Sequence, residues 1–463
     1  MAETLRSTQG KRRRALSDLT RRSLLVGGMA VLLGGCTQSP KKPLITEDRP
    51  LPGPELPGTP ATTALRSILA RRVKAVQTGD ESLFLGDLDQ SQAALVKQQK
   101  MLFANLRQLT FKTFDYVLPD LLEPKSDNGL SKFPVVGIVQ LAIDDAGTGA
   151  MPGEAFQFTL LQRDGRFLVR DIVAKTRKNA DSLGVQGPMA DAPWNITPLK
   201  VTTVGDVWLA SDASVTDLDT YVSAAAAEAN RIDALWGSRT RYPGSLMFLT
   251  RDISSFRAWY GFGHARNYSD DFEGVSPAQV GVRTNGELFD GQFAGSRVVV
   301  NLQRIDTFGD DPRLVMRHEL AHGITARARE VGISLGDLAS GAPTWAVEGF
   351  ARWTETLGNA GRAAGALRSA RAGFNGRLPR SGDFYGKKIL HNYSVGATAF
   401  MFAEKLKGKD GAVEFYAAVT RHADIGELAV ADLPVFDGIC RESLSVSSAS
   451  FYRQWADFVR NGA

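Results

Sequence analysis

The chain has 463 residues, past the roughly 250–300 at which one hydrophobic core stops growing, so more than one folded unit is expected. With 43% hydrophobic and 23% charged residues, the composition excludes a disordered chain, a collagen-like fibre and a multi-span membrane protein. The formal charge of +5 resides wholly in residues 1–36, where seven Lys and Arg stand against Glu3 and Asp18. The remainder is neutral, so there is no electrostatic footprint for nucleic acid. Two cysteines, Cys36 and Cys440, exclude both a disulfide framework and a cysteine-based zinc site.

The N-terminus reads as an address. A basic stretch over 11–22 precedes an uncharged apolar run of 13 residues, Ser23 to Gly35. A spanning helix needs about 20 such residues, so the run suits the core of a signal peptide. It ends Leu33-Gly34-Gly35-Cys36, which resembles a bacterial lipobox, and Thr20-Arg21-Arg22-Ser23-Leu24-Leu25 resembles a twin-arginine export signal. These resemblances imply lipidation at Cys36 and a body tethered at the extracytoplasmic face of the cell membrane. A short uncleaved anchor is the alternative, and it also leaves the body outside the cytoplasm. Residues 37–60 hold seven of the twenty prolines, which favours an extended spacer over a packed segment.

Two folded units follow, 61–185 and 195–463. In the first, Leu65, Ile68, Leu69, Val73 and Val76 recur at helical spacing, and 92–109 repeat the pattern. Phe133 to Ile143, Ala155 to Gln162 and Arg166 to Val173 then read as strands, the last two joined at Asp164-Gly165. The class is α+β, with N-terminal helices on a curved antiparallel sheet. The segment Ala75-Val76-Gln77-Thr78-Gly79-Asp80 and the hairpin Gln162 to Ile172 resemble the nuclear-transport-factor-like fold. No cluster of titratable groups marks a site there, and the expectation is an accessory or protein-contact unit. The second unit predicts strands at Leu199 to Val204, Ser245 to Leu249 and Arg297 to Leu302, a helix at Asp217 to Trp236, and an almost wholly helical stretch after Pro312. Its sheet is expected to be small and mixed. The strand Arg297 to Asn301 is expected to offer an edge to which an extended peptide adds.

Chemistry concentrates in His318-Glu319-Leu320-Ala321-His322, which holds two of only five histidines. Four residues are slightly more than one helical turn, so both imidazoles leave one face about 6 Å apart, as two ligands of one zinc ion require. Glu319 lies about 100° round the helix, placed to act on a water rather than on the metal. Asp310, Asp311 and Pro312 supply a cap and first turn. A third ligand is needed, with one position left to water. Glu348 in Trp345-Ala346-Val347-Glu348-Gly349-Phe350-Ala351 suits that part; a solvated first-turn glutamate is the alternative, and the flanking Trp345 and Phe350 speak for a partly buried helix start.

These motifs resemble the gluzincin metallopeptidases, specifically the aminopeptidase N-like or peptidase MA-like branch. The resemblance covers about 195–463. It implies a zinc-dependent hydrolase of peptides or proteins with His318, His322 and Glu348 as metal ligands and Glu319 as general base. Tyr393, in Tyr393-Ser394-Val395-Gly396, would steady the oxyanion, with His391 as another donor; a helix-start tyrosine packing on the core is the alternative. Glu355, seven residues after Glu348, is placed to orient a histidine from behind, with a solvated helix charge as the alternative. The 25 residues between His322 and Glu348 exceed the family's usual spacing and imply a longer loop beside the site. A lipoprotein scaffold with a degenerate, non-catalytic zinc domain is the competing reading, and a hydrolase of non-peptide amides a third.

Overall fold

The computed structural model describes Ser23 and Leu24 together with residues 58–119, 125–127, 129–265, 268–328, 342–421 and 434–462. Cys36 and most of the proline-rich spacer lie outside the described residues, as does the bulk of the loop between His322 and Glu348. No described helix is long and apolar enough to cross a membrane.

The protein is α+β, with N-terminal helices, a curled mixed sheet and a mainly helical C-terminal half. Helix α1 (Pro60–Thr78) begins where the Thr59 side chain accepts from the Thr62 amide, with Pro60 in the first turn, whose amide would have no helical partner anyway. Its buried face carries Leu65, Ile68, Leu69 and Val76, the predicted stripe. With α2 (Ala93–Leu106) it packs on an antiparallel sheet of β1 (Phe111–Val117), β2 (Leu130–Leu141), β3 (Met151–Arg163) and β4 (Arg166–Ala174). β3 and β4 form the hairpin expected from Asp164-Gly165.

The second half contributes β5 (Lys200–Val204), β6 (Val207–Ser211), α3 (Asp219–Trp236), β7 (Ser245–Thr250), β8 (Gly274–Val275), β9 (Ala278–Val282) and β10 (Leu288–Asn301). The sheets of the two halves join. β3 pairs with β9 at Pro152–Gly281 and Met151–Val282, giving a path β1-β2-β3-β9-β10-β7-β6-β5. β10 lies parallel to β7 on one side and antiparallel to β8 and β9 on the other. The edge expected at Arg297 to Asn301 is therefore interior. Its run Val298-Val299-Val300 is buried because both faces and both flanks are covered, as is usual for parallel pairs.

β7 shows how the sheet divides the core. Met247 and Leu249 face the helical half, while Leu246 and Phe248 face a cluster that includes Trp194, Trp259 and the first unit's Phe84 and Phe103. The C-terminal half comprises α4 (Pro312–Thr325), α5 (Thr344–Thr356), α6 (Ala360–Arg371), α7 (Ile389–Arg421), α8 (Pro434–Leu444) and α9 (Ser448–Asn461). Its centre is aromatic: Phe350 stacks on Tyr416 at 4.1 Å, and Trp345 packs on Phe400 and Phe415. A buried ion pair, Arg297 with Asp144 at 2.6 and 2.7 Å, ties β10 to the turn after β2.

Candidate metal centre

Helix α4 starts where predicted. Asp311 accepts from the Arg313 amide and Pro312 occupies the first turn. Residues Leu314 to His322 are all buried, so the helix is enclosed on every side and its polar groups must find partners inside the protein. Arg317 does so through Glu228 on α3, at 2.6 and 3.0 Å, and through the Thr354 carbonyl at the end of α5. Three helices are thereby fixed around the next residue, His318.

The structure brings His318, His322 and Glu348 together. One ligand atom from each lies within 4.8 Å of the others, and all three residues are buried. Nε2 of His318 and Nε2 of His322 stand 3.3 and 3.4 Å from Glu348 Oε2. Donors bound at about 2.1 Å to one tetrahedral ion stand about 3.4 Å apart, and both histidine–glutamate separations already have that value. The imidazole centroids are 4.8 Å apart with rings nearly perpendicular. Two imidazoles and one carboxylate fit a zinc ion with one position left open.

Behind the ligands, His318 Nδ1 donates to Glu355 Oε1 at 2.8 Å, since a carboxylate can only accept. Nε2 is then the nitrogen whose lone pair, once its proton is lost, would serve a metal beside Glu348. Glu355 is in turn held by Arg352 at 2.7 Å and Arg362 at 3.5 Å. Burial pushes His318 down, but the Glu348 and Glu355 carboxylates outweigh it and hold the ring up at about 9. Burial pushes Glu348 up, but the two histidines outweigh it and hold the carboxyl down at about 2. Such a pair is a protonated stand-in for a cation, and a metal taking its place must displace the proton.

Glu319 is fully buried on the adjacent face of α4. It lies against β8: a methyl group added at Gly274 would come within 2.8 Å of Glu319 Cγ and Oε1. Tyr393 is buried on α7, its ring centroid 6.1 Å from that of His318 and 5.3 Å from Phe384. His391 turns the other way, with Nδ1 at 3.2 Å from the Ser369 carbonyl. Tyr385 was not anticipated. Its hydroxyl donates to Glu348 Oε1 at 2.6 Å, and burial beside that carboxylate raises its pKa well above the ordinary 10. No periodicity marks Tyr385, because it sits in an irregular stretch after a short 3₁₀ turn at Ser381–Asp383.

α5 and α7 approach closely where they carry these groups. A methyl at Gly349 would lie 2.5 Å from the Gly396 carbonyl carbon, and one at Gly396 would lie 2.5 Å from the Trp345 oxygen. Both positions exclude any side chain, and the contact sets Glu348 and Tyr393 in register.

Against known proteins, no family model matches the chain, and no curated protein matches it. Solved structures of M1 zinc metallopeptidases show a distant likeness. A two-domain M1 zinc metallopeptidase mutant bound to L-tryptophan is 14% identical, with 73% of this chain and 72% of that chain covered and a TM-score of 0.35. An M1 zinc metallopeptidase from Deinococcus radiodurans is 13% identical, with 74% and 73% covered and a TM-score of 0.34. A likeness of this degree carries no functional weight.

Proposed function

We propose that the protein is a zinc-dependent metallopeptidase, tethered through lipid on Cys36 at the extracytoplasmic face of the membrane. The observation that carries the enzymatic reading is the convergence of His318, His322 and Glu348 within 4.8 Å, with Glu355 fixing His318 from behind. These three side chains would hold the zinc, which when bound lowers the pKa of a water toward about 7 and polarises a carbonyl.

The rest falls to the chain. Glu319, on the same helix and one residue from a ligand, takes the proton of the attacking water at its carboxylate and returns it to the leaving nitrogen. Tyr393 donates its hydroxyl to the carbonyl oxygen as that oxygen gains charge. Tyr385 holds Glu348 Oε1, so that Oε2 faces the histidines. Residues 61–185 form an accessory unit of nuclear-transport-factor-like type and 195–463 the peptidase unit.

The burial of His318, Glu319, His322 and Glu348 favours a second reading, a lipoprotein scaffold in which the metal is structural and no substrate reaches it. One experiment separates the two. The full chain and Glu319→Gln are compared for zinc content and for cleavage of a quenched fluorescent peptide library. Stoichiometric zinc in both, with cleavage only in the wild type, supports the peptidase; stoichiometric zinc with no cleavage by either supports the scaffold. Cleavage by Glu319→Gln at the wild-type rate removes Glu319 from the mechanism.

A further inference from the structure

We propose that the first unit holds a binding site for one small monovalent anion, built around Arg72. Among the described residues three arginines are buried: Arg72, Arg297 and Arg317. Two of them are neutralised by a two-pronged carboxylate, Asp144 for Arg297 and Glu228 for Arg317. Arg72 is the exception. It is 1% exposed, and the groups it bonds are neutral: the Phe84 carbonyl at 3.2 Å, Gln99 Oε1 at 2.5 Å and the Tyr116 hydroxyl. The neighbouring Asp87 is engaged by Arg71, at 2.7 and 2.9 Å.

Aromatic faces ease the burial of this cation without neutralising it. Arg72 Cζ lies 3.8 Å from the Phe84 centroid, with Tyr116 and Phe158 near 6 Å. Stacked rings offset only part of what burying an unpaired charge costs. Arg72 Nε has no hydrogen-bond partner. Burial also pulls the guanidinium pKa down, outweighing the upward pull of Tyr116 and of Asp87.

Arg72 lines a cavity whose walls include Gln99, Tyr116, Phe156, Phe158 and Asn195. Its volume is about 360 Å³ counting the mouth, which opens to solvent, while its interior admits only a body of about water size. One positive charge and partly apolar walls select a small monovalent anion, either a halide in the water-sized interior or a single carboxylate group seated at the wider mouth. Asn195 in the wall is itself held by Glu154, which accepts from Asn195 and Trp194 at 3.0 Å each. Nothing in this cavity belongs to the metal centre.

The test is thermal denaturation of the full chain and of Arg72→Gln at fixed pH and ionic strength. Sodium isethionate, whose anion is too large to enter, is replaced stepwise by chloride or by formate. A saturable rise of several degrees in wild-type Tm, absent from Arg72→Gln, is expected; the chloride arm assigns a halide site and the formate arm a carboxylate site. Wild-type crystals soaked in bromide or formate supply the second readout, an ion bonded to Arg72 Nε, should the variant fail to fold. A wild-type Tm indifferent to both anions together with no bound ion overturns the proposal. So does an equal anion response in Arg72→Gln.

Discussion

Glu355 Oε1 lies 2.8 Å from His318 Nδ1, while the other oxygen of the same carboxylate is gripped by Arg352 and Arg362. The histidine is thus held by an acid that is itself held, which fixes the ring plane and turns Nε2 toward Glu348. Glu355→Ala is expected to weaken zinc binding by about 10–100-fold, the usual effect of losing such a partner. Glu355→Gln keeps an acceptor oxygen for Nδ1 and should lose less. Competition against a chelating dye measures both.

The two tyrosines are expected to fail in different ways. Tyr385 touches a ligand, at 2.6 Å from Glu348 Oε1, so Tyr385→Phe should weaken zinc binding severalfold. Tyr393 sits beside His318 and, as an oxyanion donor, should matter only to turnover. Tyr393→Phe is expected to lower kcat by about 10²–10³-fold with zinc affinity unchanged. Should Tyr385→Phe instead lower kcat at full zinc occupancy while Tyr393→Phe does not, the oxyanion role passes to Tyr385.

What could be read in the sequence follows the strength of local signals. α4 was legible because Asp311-Pro312 announces a helix start and because histidines four apart matter only on a helix. Glu355 was legible by its heptad distance from Glu348. β6 was not: Val207-Trp208-Leu209-Ala210-Ser211 is buried throughout and shows no alternation. The Val298–Val300 run reads equally as an edge or an interior strand, and only its partners decide which. The junction of β3 with β9 rests on two residue pairs more than a hundred positions apart, which no local pattern encodes. Tyr385 reaches Glu348 through an irregular turn. Arg72 carries no local signal, because its neutral surroundings arise only from tertiary packing.

Glu154 gives a pH dependence of defined sign. Burial raises its pKa from the ordinary 4.5 to about 7, outweighing the hydrogen bonds from Asn195 and Trp194, and the nearby Asp191 adds to the rise. The folded state therefore prefers the protonated acid. Stability from this group is fully present below about pH 4.5, declines as pH rises, and is lost above about pH 7. Glu154→Gln keeps the Oε1 acceptor and never ionises. Urea denaturation should find the variant more stable than wild type at pH 8.5, by on the order of 2–3 kcal/mol, with the gap shrinking toward pH 5. A gap independent of pH would mean that Glu154 does not titrate in this window.

Close packing at Gly349 makes a last prediction about how the site is held. A methyl there meets the Gly396 backbone at 2.5–2.8 Å, and neither helix backbone can yield as a side chain would. Gly349→Ala should force α5 away from α7 and cost about 1–3 kcal/mol or more through overpacking. Because Glu348 precedes that glycine and Tyr393 lies one turn from Gly396, zinc affinity and turnover should fall together with Tm. Gly365→Ala is the matched control. It lies in α6 with only the Arg368 side-chain tip nearby, at 3.9 Å, so the added methyl brings the helix preference of alanine without a clash. Its Tm should rise slightly, by the equivalent of about 0.5–1 kcal/mol, with zinc binding unchanged. If Gly349→Ala behaves like this control, the contact between α5 and α7 does not position the metal ligands.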